Sequence, residues 1–265
     1  MKIVKLKSNA AEKKSSALKI TELKSGTRDP NRVNVFLDEK FAFSLDLAQV
    51  VDFHLKVGKT LTKEEIKEIE HASEYGKLYS ETLEWVLTRP HSVKETREYL
   101  ERKRKKREFD NKVRRENRKK IKEDPEFKKR AKEHKIPTKE KKMFTKADIE
   151  KVIETLMDKK YLNDRRFAEW YIENRSFKKG ISRRRLESEL YKKGIEQDLI
   201  KELLETSSRT DEAEIRKYIL KKGSKVPKEK LLLRLVSRGF PYDLTKEMVE
   251  SYTTCPEAFR ENHEF

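Results

Sequence analysis

The spacing of apolar positions changes twice along the chain, and each change marks a different kind of element. Beyond Lys19, Ile20 and Leu23 lead to Val33, Val35 and Leu37, separated by Asn34 and Phe36, and then to Phe41, Phe43 and Leu45. This alternation, broken at Asp38-Glu39-Lys40, predicts a β-hairpin; the turn lacks the glycine that tight primed turns favour, which leaves the register open by one residue. Leu47, Val50, Val51 and Leu55 then recur at helical spacing, in a run that Gly58 is expected to stop. Thr62-Lys63-Glu64-Glu65 has the form of a capping box and predicts a helix start ahead of Ile66 and Ile69. Residues 19–75 are read as a small β-hairpin plus helices domain. Residues 1–18, lysine-rich and without periodicity, are read as a disordered basic N-terminus.

From Leu78 onward the pattern is helical, and it repeats. Setting Ser182 against Pro227, an offset of 45 residues, brings Leu186 over Leu231, Leu190 over Leu235, Gly194 over Gly239, Asp198 over Asp243 and Leu203 over Met248. Ala168 falls on Ala213 in the preceding helix. Each unit reads as three short helices with a glycine exit after the second, where a left-handed residue is often needed. Residues 161–207 form one unit and 210–252 another. A further unit spans 78–160: Leu78 to Leu87 supply its first helix, and Ser92-Val93-Lys94-Glu95, Tyr99 and Leu100 its second. Asp148, Ile149, Val152, Ile153 and Leu156 supply its third. The glycine exit is missing there, and a charged insertion at about 101–142 stands in its place, read as one or two frayed helices broken at Pro125 and Pro137. The fold class expected is mainly α: three tandem three-helix repeats in an elongated curved array behind the hairpin domain. The tail, 253–265, receives no assignment.

Composition sharpens this reading. Charged residues make up 43% and hydrophobic ones 34%, with a mean hydropathy of −1.00, which is too little apolar material for one large core and favours a modular body. The formal net charge is +18, and between Glu101 and Lys142 stand 21 basic residues against 9 acidic ones, so the basicity belongs mostly to the insertion. Such a segment attracts polyanions. No stretch is long and apolar enough for a membrane span, and the start lacks a secretory apolar core, so a soluble cytoplasmic chain is expected. One cysteine, Cys255, and five scattered histidines offer no disulfide and no metal spacing, and no cofactor is expected. Val57-Gly58-Lys59-Thr60 has the tail of a phosphate-binding loop, but Phe53 occupies the place of its first glycine. With no nucleophile and base grouping, the chain is read as a non-enzyme.

Tyr161-Leu162-Asn163-Asp164-Arg165-Arg166-Phe167-Ala168, followed by Arg175, Lys179-Gly180, Arg185-Leu186, Glu189-Leu190 and Lys193-Gly194-Ile195, resembles the RecX family of bacterial recombinase regulators. Asn163 stands where that family usually has its first Asp. Arg238-Gly239-Phe240-Pro241-Tyr242-Asp243-Leu244 is similar to the family's last repeat, and Arg32 to Asp38 ahead of Phe41 to Leu45 is similar to its longer versions. The likeness covers about Leu78 to Tyr252 without the insertion, which departs from the pattern. It implies a protein that binds the RecA recombinase, especially its filament on single-stranded DNA. Such a protein inhibits or modulates ATP hydrolysis, strand exchange and the co-protease activity behind the SOS response.

Candidate contacts follow. Arg183, Arg184 and Arg185 open a predicted helix just after Lys178 and Lys179, with Arg165, Arg166, Arg175, Lys192 and Lys193 nearby. This cluster meets either an acidic recombinase surface or phosphates, or it is a solvated face, since consecutive basic residues span all sides of a helix. In the insertion, Arg102, Lys103, Arg104, Lys105, Lys106, Arg107, Arg114 and Arg115 are candidate phosphate contacts, against the alternative of a solvated, partly disordered arm. Trp170 and Tyr171 are spaced as core residues rather than base-stacking ones. A DNA-binding or architectural protein that acts without recombinase is the alternative reading. Highly charged repeats with no apolar seam suggest a monomer.

Overall fold

The computed structural model describes residues 17–26, 29–176, 180–256 and 259. They fall into two compact units, 1–81 and 82–265. The expected disorder of the N-terminus falls mostly outside the described residues, except that Leu18 already belongs to a strand.

In the first unit, strands β1 (Leu18–Ser25), β2 (Arg32–Leu37) and β3 (Lys40–Asp46) are followed by helix α1 (Leu47–Asp52) and a short strand β4 (Thr60–Leu61). The sheet is antiparallel in the order β3-β2-β1-β4. The predicted hairpin is β2-β3, and it is embedded in four strands because Ile20 and its neighbours also pair. Its register closes on Leu37 opposite Lys40, so the turn is the two residues Asp38 and Glu39, at φ 46° and 66°. Both lie in the left-handed region that such a turn requires. β1 supports it: Lys19 N–H donates to Asp38 Oδ1 at 3.1 Å and Glu39 N–H to Thr21 Oγ1 at 3.0 Å. Ile20, Val35, Leu45, Leu61 and Ile69 are fully buried against one another. Gly58 is not the helix stop expected. α1 ends at Asp52, and Gly58, at φ 92°, sits in the loop that feeds β4, its N–H bonded to Ile20 O at 2.8 Å.

The capping box at Thr62 forms in both directions, with Thr62 N–H to Glu65 Oε2 at 2.7 Å and Glu65 N–H to Thr62 Oγ1 at 3.2 Å. It opens α2 (Lys63–Leu87), which runs unbroken through the expected boundary at 75–78 and supplies the first helix of the first repeat. Then follow α3 (Val93–Glu123), α4 (Pro125–Glu133) and α5 (Lys146–Asp158), then α6 (Asp164–Asn174), α7 (Arg183–Lys192) and α8 (Gln197–Thr206). The last set is α9 (Asp211–Lys222), α10 (Lys228–Val236) and α11 (Tyr242–Thr254). The offset of 45 holds for the starts of α7 against α10 and α8 against α11. The first helices, α6 and α9, start 47 apart, so Ala168 corresponds to buried Ile215 rather than to Ala213. Each unit buries its own core, Phe167, Leu186, Leu190 and Ile200 in one, Ile215, Ile219, Leu231 and Leu235 in the next. Phe259, from the unassigned tail, completes the latter, its ring 5.4 Å from that of Tyr252.

Successive repeats are joined by a contact that recurs with the sequence. Ser92, N-cap of α3, accepts the Glu95 N–H at 3.1 Å and donates its hydroxyl to Lys193 O at 2.8 Å. Ser182, N-cap of α7, accepts the Arg185 N–H at 3.3 Å and donates to Arg238 O at 3.0 Å. The residue after each serine donates its N–H to the first residue of the next unit's opening helix: Val93 to Asp164 Oδ1 at 2.8 Å, Arg183 to Asp211 Oδ1 at 2.7 Å. Lys193 and Arg238 precede Gly194 and Gly239, at φ 86° and 91°. The glycines serve backbone conformation and approach alike, since a Cβ on Gly239 would lie 2.9 Å from Ser182 Oγ and one on Gly194 2.8 Å from Lys94 Cβ.

Gly58 offers an internal comparison, because its φ is nearly that of Gly239 while nothing lies within 4 Å of where its Cβ would be. Gly58→Ala is expected to cost only the left-handed strain, about 1 kcal/mol. Gly239→Ala adds displacement of the serine and loss of its buried bond, roughly 1 to 2 kcal/mol more. Urea unfolding of the two variants checks this, and equal losses would mean that the serine contact adds nothing.

Candidate partner and nucleic-acid interface

The basic cluster of the second repeat is largely consumed by its own fold. Arg175 grips Glu189 with Nε at 2.6 Å and Nη2 at 3.2 Å, while Arg185, one turn earlier on α7, reaches the same carboxylate at 3.1 Å. The Tyr171 hydroxyl donates to it at 2.8 Å. Arg175 above all, helped by Tyr171 and Arg185 against the effect of burial, holds the Glu189 carboxyl down at about 2. Burial, with the Glu189 bond second, pushes the Tyr171 phenol up to about 12. Tyr171 and Trp170 pack partly buried against the core of their unit, as their spacing predicts. Arg165 pairs with Glu202 at 2.6 Å and Glu169 at 3.7 Å. Arg183 donates to the carbonyl of Leu204 in the last turn of α8, where a cation suits the helix end. Arg166, Arg184 and Lys192 remain exposed with no acidic partner among the described residues. The structure does not gather these three in one cleft: Arg166 lines one with Arg89 and His91, Arg184 another with Tyr191 and Gln197. Lys178 and Lys179 lie outside the described residues.

Lys193 is paired in a way that composition did not reveal. Its Nζ meets Glu95 Oε1 at 2.5 Å, and the other oxygen of Glu95 accepts from Arg89 at 3.2 Å and faces His91 Nδ1 at 3.2 Å. Burial raises the Glu95 carboxyl, and hydrogen bonds from His91, Lys193 and Arg89 overcome it, leaving the group well below the usual carboxylate range. His91 is buried under Trp85, ring centroids 3.5 Å apart, and Trp85 stacks on Tyr99 at 4.3 Å. Ser92-Val93-Lys94-Glu95 has the spacing of a capping box, which would set the Glu95 side chain on the Ser92 N–H. Glu95 abandons that role to hold two repeats together. A second buried pair, Arg209 with Glu214 at 2.7 Å, joins the last two repeats: Arg209 also donates to the carbonyls of Ile172 and Arg175 at 2.5 and 2.8 Å, closing the end of α6. Glu214 in turn accepts the Ile181 N–H at 3.0 Å.

The insertion is better ordered than expected. α3 continues as one helix of 31 residues, Asp124 caps α4 with Pro125 at its first position, and the chain then returns along α3 in extended form. Side chains on one face of α3 satisfy the returning carbonyls in order: Arg107 donates to Lys142 O at 2.8 Å, Asn111 to Lys141 O at 2.7 Å, Arg114 to Lys139 O at 2.6 Å and Arg118 to Thr138 O at 2.9 Å. Asn111, buried, also accepts the Lys141 N–H at 2.8 Å. Arg115 pairs with Glu140 at 2.7 Å and Arg104 with Glu101 at 3.0 Å, while Lys103 lies 5.1 Å from the centre of the Tyr99 ring. Of the eight candidate phosphate contacts, Arg102, Lys105 and Lys106 are exposed and have no acidic partner among the described residues. Beyond the insertion, Arg97 grips Glu150 at 2.8 and 2.9 Å, tying α3 to α5.

These features define a repeat protein: three-helix units clasped end to end, with a small antiparallel sheet ahead of them and a cationic helical hairpin inserted in the first unit. Family models agree on both parts, the N-terminal domain of regulatory protein RecX matching residues 18–62 and the second three-helix domain of RecX matching 163–204. Regulatory protein RecX of Bacillus subtilis (strain 168) is 31% identical over 85% of this chain and 74% of its own length. That of Bacillus velezensis is 30% identical over 87% and 76%. The chain belongs to the RecX family of regulatory proteins. A crystal structure titled regulatory protein RecX shares the fold, with a TM-score of 0.56 at 19% identity over 88% of this chain and 99% of that one. Among the described residues no helix is long and apolar enough to cross a membrane, and no cluster of potential metal ligands occurs.

The Glu189 network has a sign that can be checked. A carboxyl lowered from its ordinary value near 4.5 to about 2 in the folded protein contributes stability above pH 4.5 that disappears as pH falls through 2. Thermal melts of wild type and Glu189→Gln are expected to differ at pH 6 and to converge as the pH approaches 2. A difference that persists there would assign the effect to packing.

Proposed function

We propose that this protein binds the RecA recombinase, in particular its filament on single-stranded DNA, and restrains ATP hydrolysis, strand exchange and co-protease activity. Membership of a family of regulatory proteins supports this reading, and the observation that carries it is the register-locked array of three-helix units. Such an array offers equivalent surfaces at fixed intervals, as a partner built of repeated subunits requires. Of the basic cluster in the second repeat, Arg166, Arg184 and Lys192 are exposed without acidic partners among the described residues, and we assign them to acidic positions on the recombinase. No catalytic group is needed, since a regulator of this kind acts by occupying a surface.

Hydrolysis of ATP by RecA on single-stranded DNA is expected to slow as the purified protein is added, and Arg184→Glu with Lys192→Glu to raise the concentration needed about tenfold, or ~1.4 kcal/mol. An ATPase rate unmoved by saturating wild type would remove the recombinase from this account.

A direct contact with DNA is favoured by a separate observation, the outward cations of α3. If about six phosphates are neutralised, affinity for DNA falls by about three orders of magnitude between 50 and 200 mM salt. Lys105→Glu with Lys106→Glu is then expected to lower the slope of log affinity against log salt by about 2. An unchanged slope would leave these lysines merely solvated.

A further inference from the structure

α3 divides its side chains between two faces. Arg107, Asn111, Arg114 and Arg118 are spent on the returning chain, and the helical turn places Arg102, Lys105, Lys106, Phe109, Lys112 and Val113 on the other side. Phe109 is 66% exposed, Val113 37%, and no ring or cation is recorded against Phe109 among the described residues. Its neighbours one turn away, at i−4, i−3 and i+3, are Lys105, Lys106 and Lys112, all exposed and without acidic partners among the described residues. An exposed phenyl ring flanked by lysines adds nothing to the buried cores described above. Beside it runs a groove of about 540 Å³, to which α3 contributes Arg104, Lys105, Phe109, Lys112 and Arg115 together with one carboxylate, that of Glu108, and the return segment contributes Met143, so that cations outnumber acids along it. That volume lies within the ~300 to 1,000 Å³ of sites that hold small molecules, ample for a nucleotide.

We propose that this groove is a binding site for single-stranded nucleic acid, in which a base stacks on Phe109 while Lys105, Lys106 and Lys112 neutralise flanking phosphates. Stacking platforms set among point charges are the means by which proteins hold single strands without reading sequence. A duplex cannot use the ring, because its base faces are covered by neighbouring pairs. The proposal rests on the reading of α3 as a DNA contact and adds to it the form of nucleic acid recognised.

The test is fluorescence anisotropy of a labelled oligothymidylate with the full chain, without recombinase, at fixed low salt. Phe109→Ala and Phe109→Leu are expected to weaken binding about tenfold, Phe109→Tyr to retain it, and none of the three to change the salt slope. Phe109 lies outside the cores, so circular dichroism of the variants should match wild type. Affinity for a hairpin duplex of the same length should not respond to Phe109→Ala. Wild-type affinity in Phe109→Ala, an equal loss for duplex, or equal competition by polyglutamate would each overturn the stacking site. A salt slope unmoved by the lysine reversals tells instead against the phosphate contacts, so the two readings fail separately.

Discussion

A single hydroxyl at each junction determines how the repeats meet. Ser92 and Ser182 each cap their own helix and donate to the closing carbonyl of the same helix one unit on, while the adjoining N–H reaches an aspartate that starts that unit's first helix. All these groups are helix-end donors and acceptors, which have no partner within their own helix and, once buried, cost about 1 to 3 kcal/mol each if left unmet. Apolar packing between units tolerates small shifts in register; directional bonds between helix ends do not. The requirement propagates into the backbone, since the carbonyl is presented only by a chain that turns left-handed at Gly194 and Gly239. In the third unit the equivalent position is Pro227, which carries no hydroxyl to donate and caps α10 with no side-chain bond.

This explains which parts of the fold were legible. Helix ends require particular residue types, so the offset of 45, the two glycines and the capping box at Thr62 stood out against a background of Lys and Glu. The hairpin was visible by its alternation, whereas β1 was not recognised as its partner because Thr21, Glu22 and Lys24 dilute the apolar pattern. The opening helices misled. The starts of α9 and α10 lie two residues closer together than those of α6 and α7, and Glu214 is buried where α6 has Phe167. No apolar pattern marks that position, because its burial depends on Arg209 arriving from five residues earlier. Similarly, nothing in the sequence places Lys193 beside Glu95 from 98 residues away.

The insertion shows how far composition leads and where it stops. Its surplus of charge predicted attraction to a polyanion, but composition cannot say which cations are already satisfied. Spacing holds a partial answer, since Arg107, Asn111, Arg114 and Arg118 follow the 4, 3, 4 rhythm of one helix face. What they face had no signature, because an extended return chain is recognised there through its carbonyls, which every residue carries. Asn111 is the telling residue: its amide both donates to and accepts from Lys141, as a neighbouring strand would.

Cations bound into a structure and cations held out from it respond differently to a partner. Arg175 and Arg185 share Glu189, so to meet an acidic surface either must loosen a carboxylate that the fold keeps charged. Such a residue still contributes to the field around the protein, but only within a screening length of about 8 to 10 Å at physiological salt, and there its partner nearly cancels it. Among the described residues Arg102, Lys105, Lys106 and Lys112 have no carboxylate to leave, and all four are already held on one side of a helix. Among the described residues, then, the clasped repeats hold Arg165, Arg175 and Arg185 against carboxylates of their own, whereas the outer side of α3 carries cations that give up no such bond when a partner arrives.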